Sequence, residues 1–226
     1  MCLNTNEISN KNGFRQPKTI SYKDGDFAIL LRPIEISDAK AIDESIRLSI
    51  NNLLPFMDWA HRELSVEKQV ERILRSIENY WKSIEFDFSV VDNNTQDFQM
   101  SATLGVSRTL NTNALSIGYW TSDKYANKGL ATLVTKILIV VAFEYMRCDR
   151  VEIGCNKSNI KSRRVIEKCN FIFEGQVRNY FSEPTPEMVN KGYSQDTTYM
   201  QYSLIKQDLK TVAWFNEIKR NIIFTS

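Results

Sequence analysis

The sequence has 226 residues, of which 42% are hydrophobic and 25% are charged, and its formal net charge is +2. A chain of this length buries a substantial apolar core, so we expect one large globular domain with short appendages. Lys and Arg are mixed with Asp and Glu rather than gathered in one basic stripe, which argues against a nucleic-acid-binding protein.

The cysteine and histidine pattern argues against a metal site. No two cysteines have C-x-x-C spacing, and the single histidine, His61, is distant from all of them in sequence. Cys155 and Cys169 fall in apolar segments and are predicted to be small buried side chains. This pattern favours a reducing compartment.

No segment is predicted to enter a membrane. The longest apolar run, at residues 137–146, contains Glu144 and is too short to span a bilayer. Residues 1–20 are polar and lack the apolar stretch of a signal peptide. We therefore expect a cytoplasmic protein.

The first half of the chain predicts one strand, two helices and three further strands. Residues 1–24 are rich in Asn, Lys and Ser and are expected to form a flexible N-terminal tail, and strand 27–33 ends at Pro33. Apolar residues at helical spacing predict helices that begin near Ser37 and Ser65. Three strands in a meander are then expected at residues 84–91, 98–108 and 114–121.

The second half predicts helices and strands in alternation. They are expected at residues 128–146 (helix), 150–155 (strand), 158–168 (helix), 171–180 and 197–205 (strands) and 208–220 (helix). The order predicts one α/β (mixed α+β) domain at residues 25–206 on a mixed sheet. We expect the amphipathic C-terminal helix, within residues 207–226, to pack on this domain or on the second subunit of a homodimer.

The most informative stretch joins the end of strand 114–121 to the start of the long helix. Backbone N–H groups at a helix start are free and the helix dipole adds positive potential, so this place suits a pyrophosphate. Gly129 allows close approach of the backbone, and Asn127 is a residue type that tolerates positive φ. A glycine at a helix start is also common in ordinary turns, so this stretch alone does not decide the function.

A second stretch follows the next predicted strand, about one βα unit further along the chain. Asn159 and Ser162 are three residues apart, so both face the same side of the first turn of helix 158–168. Both side chains can form hydrogen bonds with an amide-bearing ligand. The alternative is helix capping, which Ser158 or Asn159 alone could supply.

Together the two stretches resemble motifs A and B of the GNAT N-acetyltransferases, in the RimJ/RimL-like branch. The first has Asn-Lys-Gly-Leu-Ala-Thr at residues 127–132, and the second has N-x-x-S followed by E-K-x-N-F at residues 159–171, with Asn170 where Gly is usual. Three shorter segments agree with this branch: Leu-Arg-Pro at 31–33, Pro-Phe-Met-Asp-Trp-Ala at 55–60 and Ile-Gly-Tyr-Trp at 117–120. The resemblance covers roughly residues 27–205.

The resemblance implies a mostly antiparallel central sheet with two splayed parallel strands and flanking helices. The V-shaped cleft would lie between the strands that end at Thr121 and at Cys155. It also implies acetyl-CoA as the co-substrate, with no metal.

Each part of acetyl-CoA is implied to have its own partners. The pantetheine arm would pair with the backbone of Tyr119, Trp120 and Thr121 as an added strand does. Asn159 and Ser162 would contact this arm and its thiol end. The pyrophosphate would bind the backbone amides of Asn127, Lys128, Gly129, Leu130, Ala131 and Thr132.

Direct attack of an amine on the thioester needs a donor for the departing thiolate and a base for the amine proton. Many relatives carry a Tyr donor in the motif B helix, but Ile166 stands at that position, which points to Ser162 as the donor. Relatives often carry Glu where Ser116 stands. The candidate base is therefore Glu183, in the polar loop before the last strand, with a water chain as the alternative. Two other acids lie in that loop: Glu187 and Asp196.

The apolar segment at residues 55–60 is expected to line the acceptor side of the cleft. Phe56 and Trp59 would cover the cleft there and exclude water. Packing in the core is the alternative interpretation of the same two side chains.

The resemblance implies an acetyl-CoA-dependent N-acetyltransferase whose expected acceptor is the N-terminal α-amine of a protein, of the ribosomal-protein type. A small amine, such as a polyamine or an aminoglycoside, is the alternative acceptor, and a more acidic cleft would favour it. A non-catalytic acyl-CoA-binding or protein-interaction module is the alternative outside the enzymes, because Ala126, Asn127 and Ile166 depart from the usual motifs. No nucleic acid or membrane partner is expected.

Overall fold

The computed structural model describes residues 19–25, 27–107 and 112–225, which form one nine-stranded sheet with helices on both faces. The strands are β1 (Thr19–Asp24), β2 (Phe27–Pro33), β3 (Glu85–Asp92), β4 (Phe98–Val106), β5 (Ala114–Thr121), β6 (Arg150–Asn156), β7 (Ile172–Val177), β8 (Tyr199–Ile205) and β9 (Ile222–Thr225). The helices are α1 (Ala39–Leu53), α2 (Val66–Trp81), α3 (Leu130–Val140), α4 (Ile160–Lys168), α5 (Pro186–Asn190) and α6 (Phe215–Asn221).

The strands lie in the order β7-β8-β6-β5-β4-β3-β2-β1-β9. Within the described residues, β5 and β6 are the parallel pair, and the other neighbours run antiparallel. This arrangement confirms the predicted mixed, mostly antiparallel sheet with flanking helices.

Alternation along the strands gives the sheet an apolar face and a polar face. On the apolar face, Phe86 and Phe88 of β3 pack in one cluster with α3, whose Val134 is fully buried. On the polar face, Asp87 accepts a hydrogen bond from Ser76 of α2, and α1 packs beside α2. We call the face of Phe86 and Phe88 the apolar face, and the face of Asp87 the polar face.

The prediction of a flexible tail over residues 1–24 is wrong for its last six residues. Residues 19–24 form β1, which pairs with β2 on one edge and with β9 on the other. Ile20 and Tyr22 alternate with polar residues and are buried, and this short period-two pattern is the reason for the strand. Residues 1–18 lie outside the described part of the chain.

The C-terminal segment is also part of the domain rather than a single appended helix. Residues 208–211 form a 3-10 turn, α6 covers only Phe215–Asn221, and the chain then enters β9 at the edge of the sheet. Phe215 and Ile218 are buried in the same cluster as α3. The β-branched and aromatic run Ile-Ile-Phe-Thr at 222–225 explains why the helix ends early.

Several other predicted boundaries shift. The helix predicted at 128–146 begins at Leu130, and residues 141–145 form a π-helical turn after Val140. The strand predicted at 98–108 ends at Val106, and Arg108 lies outside the described residues. The loop predicted between the strands at 171–180 and 197–205 contains the short helix α5. In the described ranges, no helix combines the length and apolar character needed to cross a bilayer.

Candidate active site between the parting strands

A cavity of about 750 Å³ opens where β5 and β6 separate. The two strands pair only through Ala114–Ser116 on β5 and Arg150–Glu152 on β6. Beyond Ser116 the strands diverge, and the cavity is lined by residues of β3, β4, β5, β6, α2, α4 and the loop after α1. The sequence-based expectation of a cleft between these two strands is thus met in the geometry.

One backbone edge of β5 faces this cavity. The other edge pairs with β4, from Leu115 opposite Val106 to Thr121 opposite Met100. Gly118, Tyr119 and Trp120 line the cavity, whereas Thr121 lies just beyond its lining. An extended ligand with amide groups can therefore add to this edge of β5 as a further strand would.

The turn between β5 and α3 has two residues with positive φ. Asn127 has φ 60° and Gly129, the N-cap of α3, has φ 82°. The nearest atom that a Cβ at Gly129 would meet, on Phe27, is 3.9 Å away. The glycine is therefore required by its positive φ and not by a lack of space for a side chain.

The N-terminus of α3 offers backbone donors to an anion. The first intrahelical bond runs from the N–H of Leu133 to the carbonyl of Gly129, at 3.0 Å. The N–H groups of Leu130, Ala131 and Thr132 precede it and are free of helical partners. Asn127, Lys128 and Gly129 are exposed, and this turn lies outside the cavity lining, at the end of β5.

Asn159 and Ser162 both line the cavity at the start of α4. The side chain of Asn159 accepts a hydrogen bond from the backbone N–H of Ser162 at 3.0 Å. Asn159 is therefore the N-cap of α4, so the capping interpretation holds for its carbonyl oxygen. The Ser162 hydroxyl instead lies beside the side chain of Tyr119.

The Tyr119 hydroxyl lies 3.3 Å from Oγ of Ser162. Burial raises the pKa of the Tyr119 phenol above its ordinary value, so the group stays protonated at neutral pH. From the sequence, only the backbone of Tyr119 was predicted to belong to the site, and its side chain was not. Ile166, at the position where many relatives carry Tyr, is fully buried in the core.

A thiol also lines the cavity near these hydroxyl groups. Cys155 of β6 contacts the carbonyl oxygen of Asn159 at 3.9 Å. Burial raises the pKa of the Cys155 thiol to about 11, so it is uncharged at neutral pH.

Four charged side chains line the part of the cavity beneath α2: Arg72, Arg75, Glu85 and Asp87. Asp87 accepts hydrogen bonds from Ser76 and, at 2.5 Å, from Thr103. Burial, and secondly the Asp87 carboxylate, raise the pKa of Glu85. This charged group was not predicted from the sequence, although the alternation Glu-Phe-Asp-Phe in the predicted strand indicates one polar face.

In the described part of the chain, the Arg72 side chain has a hydrogen-bond donor without a partner. Its Nη2 atom is buried and has no hydrogen-bond partner among the described residues. Burial lowers the pKa of this guanidinium, and the nearby carboxylates of Asp87 and Glu85 partly offset the effect. An unpaired buried donor in a cavity wall costs stability until a ligand supplies an acceptor.

Phe56 and Trp59 line the cavity from the loop after α1. The rings of Trp59 and Trp120 are 6.0 Å apart, and Trp120 also contacts Phe98 at 5.6 Å. Trp59 packs at the same time against the apolar cluster of α1 and α2. The lining and packing interpretations of this segment therefore both apply.

Glu183 does not line the cavity and is exposed on the loop between β7 and β8. Of its neighbours, Glu187 forms an ion pair with Lys191 at 2.7 Å, and Asp196 accepts the N–H of Thr198 at 2.9 Å. The loop contributes aromatic groups instead, because Tyr180 and Phe181 line the cavity. The geometry gives Glu183 no contact with the cleft.

Comparison with known families gives a match over most of the domain. The family described as "Acetyltransferase (GNAT) domain" matches residues 28–172. Among curated proteins, "Probable N-acetyltransferase YjcK" of Bacillus subtilis (strain 168) is 29% identical over 157 residues, which are 66% of this chain and 83% of that protein.

Solved structures share the fold at low sequence identity. Ribosomal-protein-S5-alanine acetyltransferase from Vibrio fischeri has a TM-score of 0.69 and 21% identity, and the match covers 83% of this chain and 97% of that one. Mycobacterium smegmatis RimJ, in complex with CoA-disulfide, has a TM-score of 0.74 and 18% identity, with coverage of 92% and 98%.

Proposed function

The chain belongs to the GNAT family of acetyltransferases, and we propose that it transfers the acetyl group of acetyl-CoA to the N-terminal α-amine of a protein. The name of one similar protein, a ribosomal-protein-S5-alanine acetyltransferase, supports a protein acceptor. The observation that carries the choice of acceptor is the buried Nη2 atom of Arg72, which has no hydrogen-bond partner among the described residues and belongs to a charge-balanced pocket.

The co-substrate is bound mainly by backbone groups. The free edge of β5 at Gly118–Trp120 pairs with the amides of the pantetheine arm. The turn with positive φ at Asn127 and Gly129 and the first N–H groups of α3 bind the pyrophosphate. These two anchors are joined by one strand, so the thioester is directed toward the closed end of the cleft.

The acceptor pocket favours an α-amine that is followed by a carbonyl group. Its two carboxylates, on Glu85 and Asp87, attract an ammonium group, and Arg72 beside them offers a donor to the first peptide carbonyl. A polyamine or an aminoglycoside would bring further positive charges against Arg72 and Arg75. The balance of two cations and two anions therefore argues for the peptide acceptor.

Ser162 is the donor for the departing thiolate. The Ser162 hydroxyl lines the cavity and shares a hydrogen bond with the buried Tyr119 phenol, in which either hydroxyl can be the donor. A hydroxyl has too high a pKa to ionise here, so the pair acts by hydrogen bonding to the developing negative charge. Phe56 and Trp59 cover the acceptor side and exclude water, which strengthens these interactions.

The test is a comparison of acceptors with the purified full chain. Acetyl-CoA is supplied with short peptides that have free N-termini, with the same peptides blocked at the N-terminus, and with a polyamine and an aminoglycoside. We expect thiol release and one added acetyl group, located by mass spectrometry at the free N-terminus. Acetylation of the polyamine or aminoglycoside alone would overturn the proposed acceptor, and acetyl-CoA binding without any transfer would favour a non-catalytic module.

A further inference from the structure

Three residues of neighbouring strands form a row on the polar face, at the place where the cleft begins. Glu85 of β3 pairs in register with Gly105 of β4, and Gly105 pairs with Ser116 of β5. Ser116 is also the last residue of β5 that pairs with β6. A ligand arm that runs along the free edge of β5 from α3 must end at this row, so its reactive end lies here.

The glycine in the middle of the row leaves room for a carboxylate. A Cβ at Gly105 would lie 3.0 Å from Oγ of Ser116 and 3.8 Å from Oε1 of Glu85. Both side chains therefore extend over the same glycine from opposite sides. The Ser116 hydroxyl donates to the Gly105 carbonyl at 3.3 Å, which holds it close to the strand. The Glu85 carboxylate thus reaches across β4 toward the start of the cleft.

Glu85 has more acceptor capacity to spare than its neighbour Asp87. Asp87 is 7% exposed and is held by the hydroxyls of Ser76 and Thr103. Glu85 receives a hydrogen bond from the Asn79 side chain and is faced by the charges of Asp87 and Arg72. A carboxylate has about four acceptor positions, so Glu85 can still receive a proton from a substrate or a water.

We infer that Glu85 is the general base that removes the proton from the acceptor ammonium group, directly or through one water molecule. The inference rests on the proposed function and adds a catalytic residue to it. The base then lies on the polar face and the donor pair Tyr119 and Ser162 lies toward the apolar face, on the side of α4. The thioester between them is attacked from one side and releases its thiolate toward the other.

The proton balance is as follows. The acceptor ammonium gives one proton to the Glu85 carboxylate, and the neutral amine forms the C–N bond with the thioester carbonyl carbon. The C–S bond then breaks while the Ser162 hydroxyl donates a hydrogen bond to the departing sulfur, and the second proton lost by the nitrogen passes through water to the thiolate. Glu85 returns its proton to solvent, so each turnover yields the amide, free CoA and one net proton.

The decisive experiment is the pH dependence of kcat/KM for Glu85→Gln with a peptide acceptor. The wild type can deprotonate a bound ammonium, so its rate should persist below the α-amine pKa of about 8. The variant depends on amine that is already neutral, so its rate should fall about ten-fold per pH unit below that value. At neutral pH we expect a loss of about 10² to 10⁴ in kcat/KM, typical of removing a general base.

Two controls separate a base from a structural group. Glu78→Gln makes the same change on the exposed side of α2 and should leave both rate and profile unchanged. The acetyl-CoA affinity and melting temperature of Glu85→Gln should match the wild type, and Glu85→Asp should keep the wild-type shape of the profile at a reduced rate. If the pH profile of Glu85→Gln has the same shape as that of an active wild type, the inference is overturned and the proposed function stands. A wild type that acetylates no amine overturns the proposed function itself.

Discussion

The two faces of the sheet are built by opposite means, although the same strands supply both. On the apolar face, Phe86 and Phe88 pack against α3 with no exposed area, and α3 in turn carries the turn at Gly129. On the polar face, Glu85 and Asp87 lie under α2 among hydroxyls and guanidinium groups. In the proposed function, the packed face holds backbone groups in place for the co-substrate, whereas the polar face offers side chains to the acceptor.

Because the faces differ in this way, one sheet can bind the proposed co-substrate on one face and the proposed acceptor on the other. The proposed co-substrate is the same in every turnover, so backbone donors on a packed scaffold would suffice to hold it. An acceptor is recognised by its own charges and acceptors, which side chains on the other face can match. Changes on each face should therefore affect different quantities, and the following variants test this from the largest expected effect to the smallest.

Phe215→Ala should destabilise the protein without altering the chemistry. Phe215 is 5% exposed and packs in the cluster of α3, so its truncation should cost about 3–5 kcal/mol of the free energy of unfolding. We expect a lower midpoint in urea unfolding and an unchanged kcat well below the melting temperature. Unaltered stability would show that the C-terminal segment is an appendage after all.

Ser162→Ala should lower kcat about 100-fold while the affinity for acetyl-CoA changes little, because the hydroxyl acts on the departing thiolate. Tyr119→Phe should give a smaller loss, about ten-fold, since the serine keeps its own proton. Ser158→Ala is the matched control, because that hydroxyl is exposed and bonds Asp196 instead. Steady-state kinetics and calorimetry separate the two effects, and an unchanged kcat would exclude Ser162 as the donor.

Gly129→Val should weaken acetyl-CoA binding about ten-fold. A β-branched residue is strained at φ 82°, at a cost of about 1–3 kcal/mol, and relief of that strain moves the amides of the turn. Gly192→Val is the control, since Gly192 has φ 89° and open space around it but lies outside the cavity lining. Equal affinity of both variants, measured by calorimetric titration, would mean that this turn does not bind the co-substrate.

Arg72→Gln should raise KM for the peptide acceptor and leave the affinity for acetyl-CoA unchanged. A hydrogen bond to a charged group is worth about 1.5–3 kcal/mol, so we expect at least a ten-fold rise in KM. Lys68→Gln, on the exposed first turn of α2, should have no effect. A rise in the acetyl-CoA dissociation constant instead would place Arg72 on the co-substrate side.

Local patterns in the sequence predicted much of the fold and the turn that we propose for the co-substrate. Apolar spacing placed α2 and α3 within a few residues, and turn residues separated β3, β4 and β5. The turn at Asn127 and Gly129 was found because positive φ is a property of residue type. This turn depends on local backbone geometry, which explains why its conformation could be predicted.

The acceptor side could not be predicted in the same way. Glu183 was chosen as the base because it lies in the expected loop, but that residue is exposed and the cavity carboxylates come from β3. The strand of Glu85 was predicted, and its alternation shows that Glu85 and Asp87 share a face. The alternation does not show which strand lies beside β3, or in which register.

The sequence by itself determined most of the helices and strands and the turn before α3, and the family resemblance implied the parting strands. Only the tertiary structure decided that β1 pairs with β9, that Tyr119 meets Ser162 and that Glu85 extends over Gly105 toward Ser116. Each of these contacts joins residues far apart in the chain. Local conformational preference acts over a few residues, whereas such pairings depend on how whole elements pack, and a single sequence does not encode them as a readable pattern.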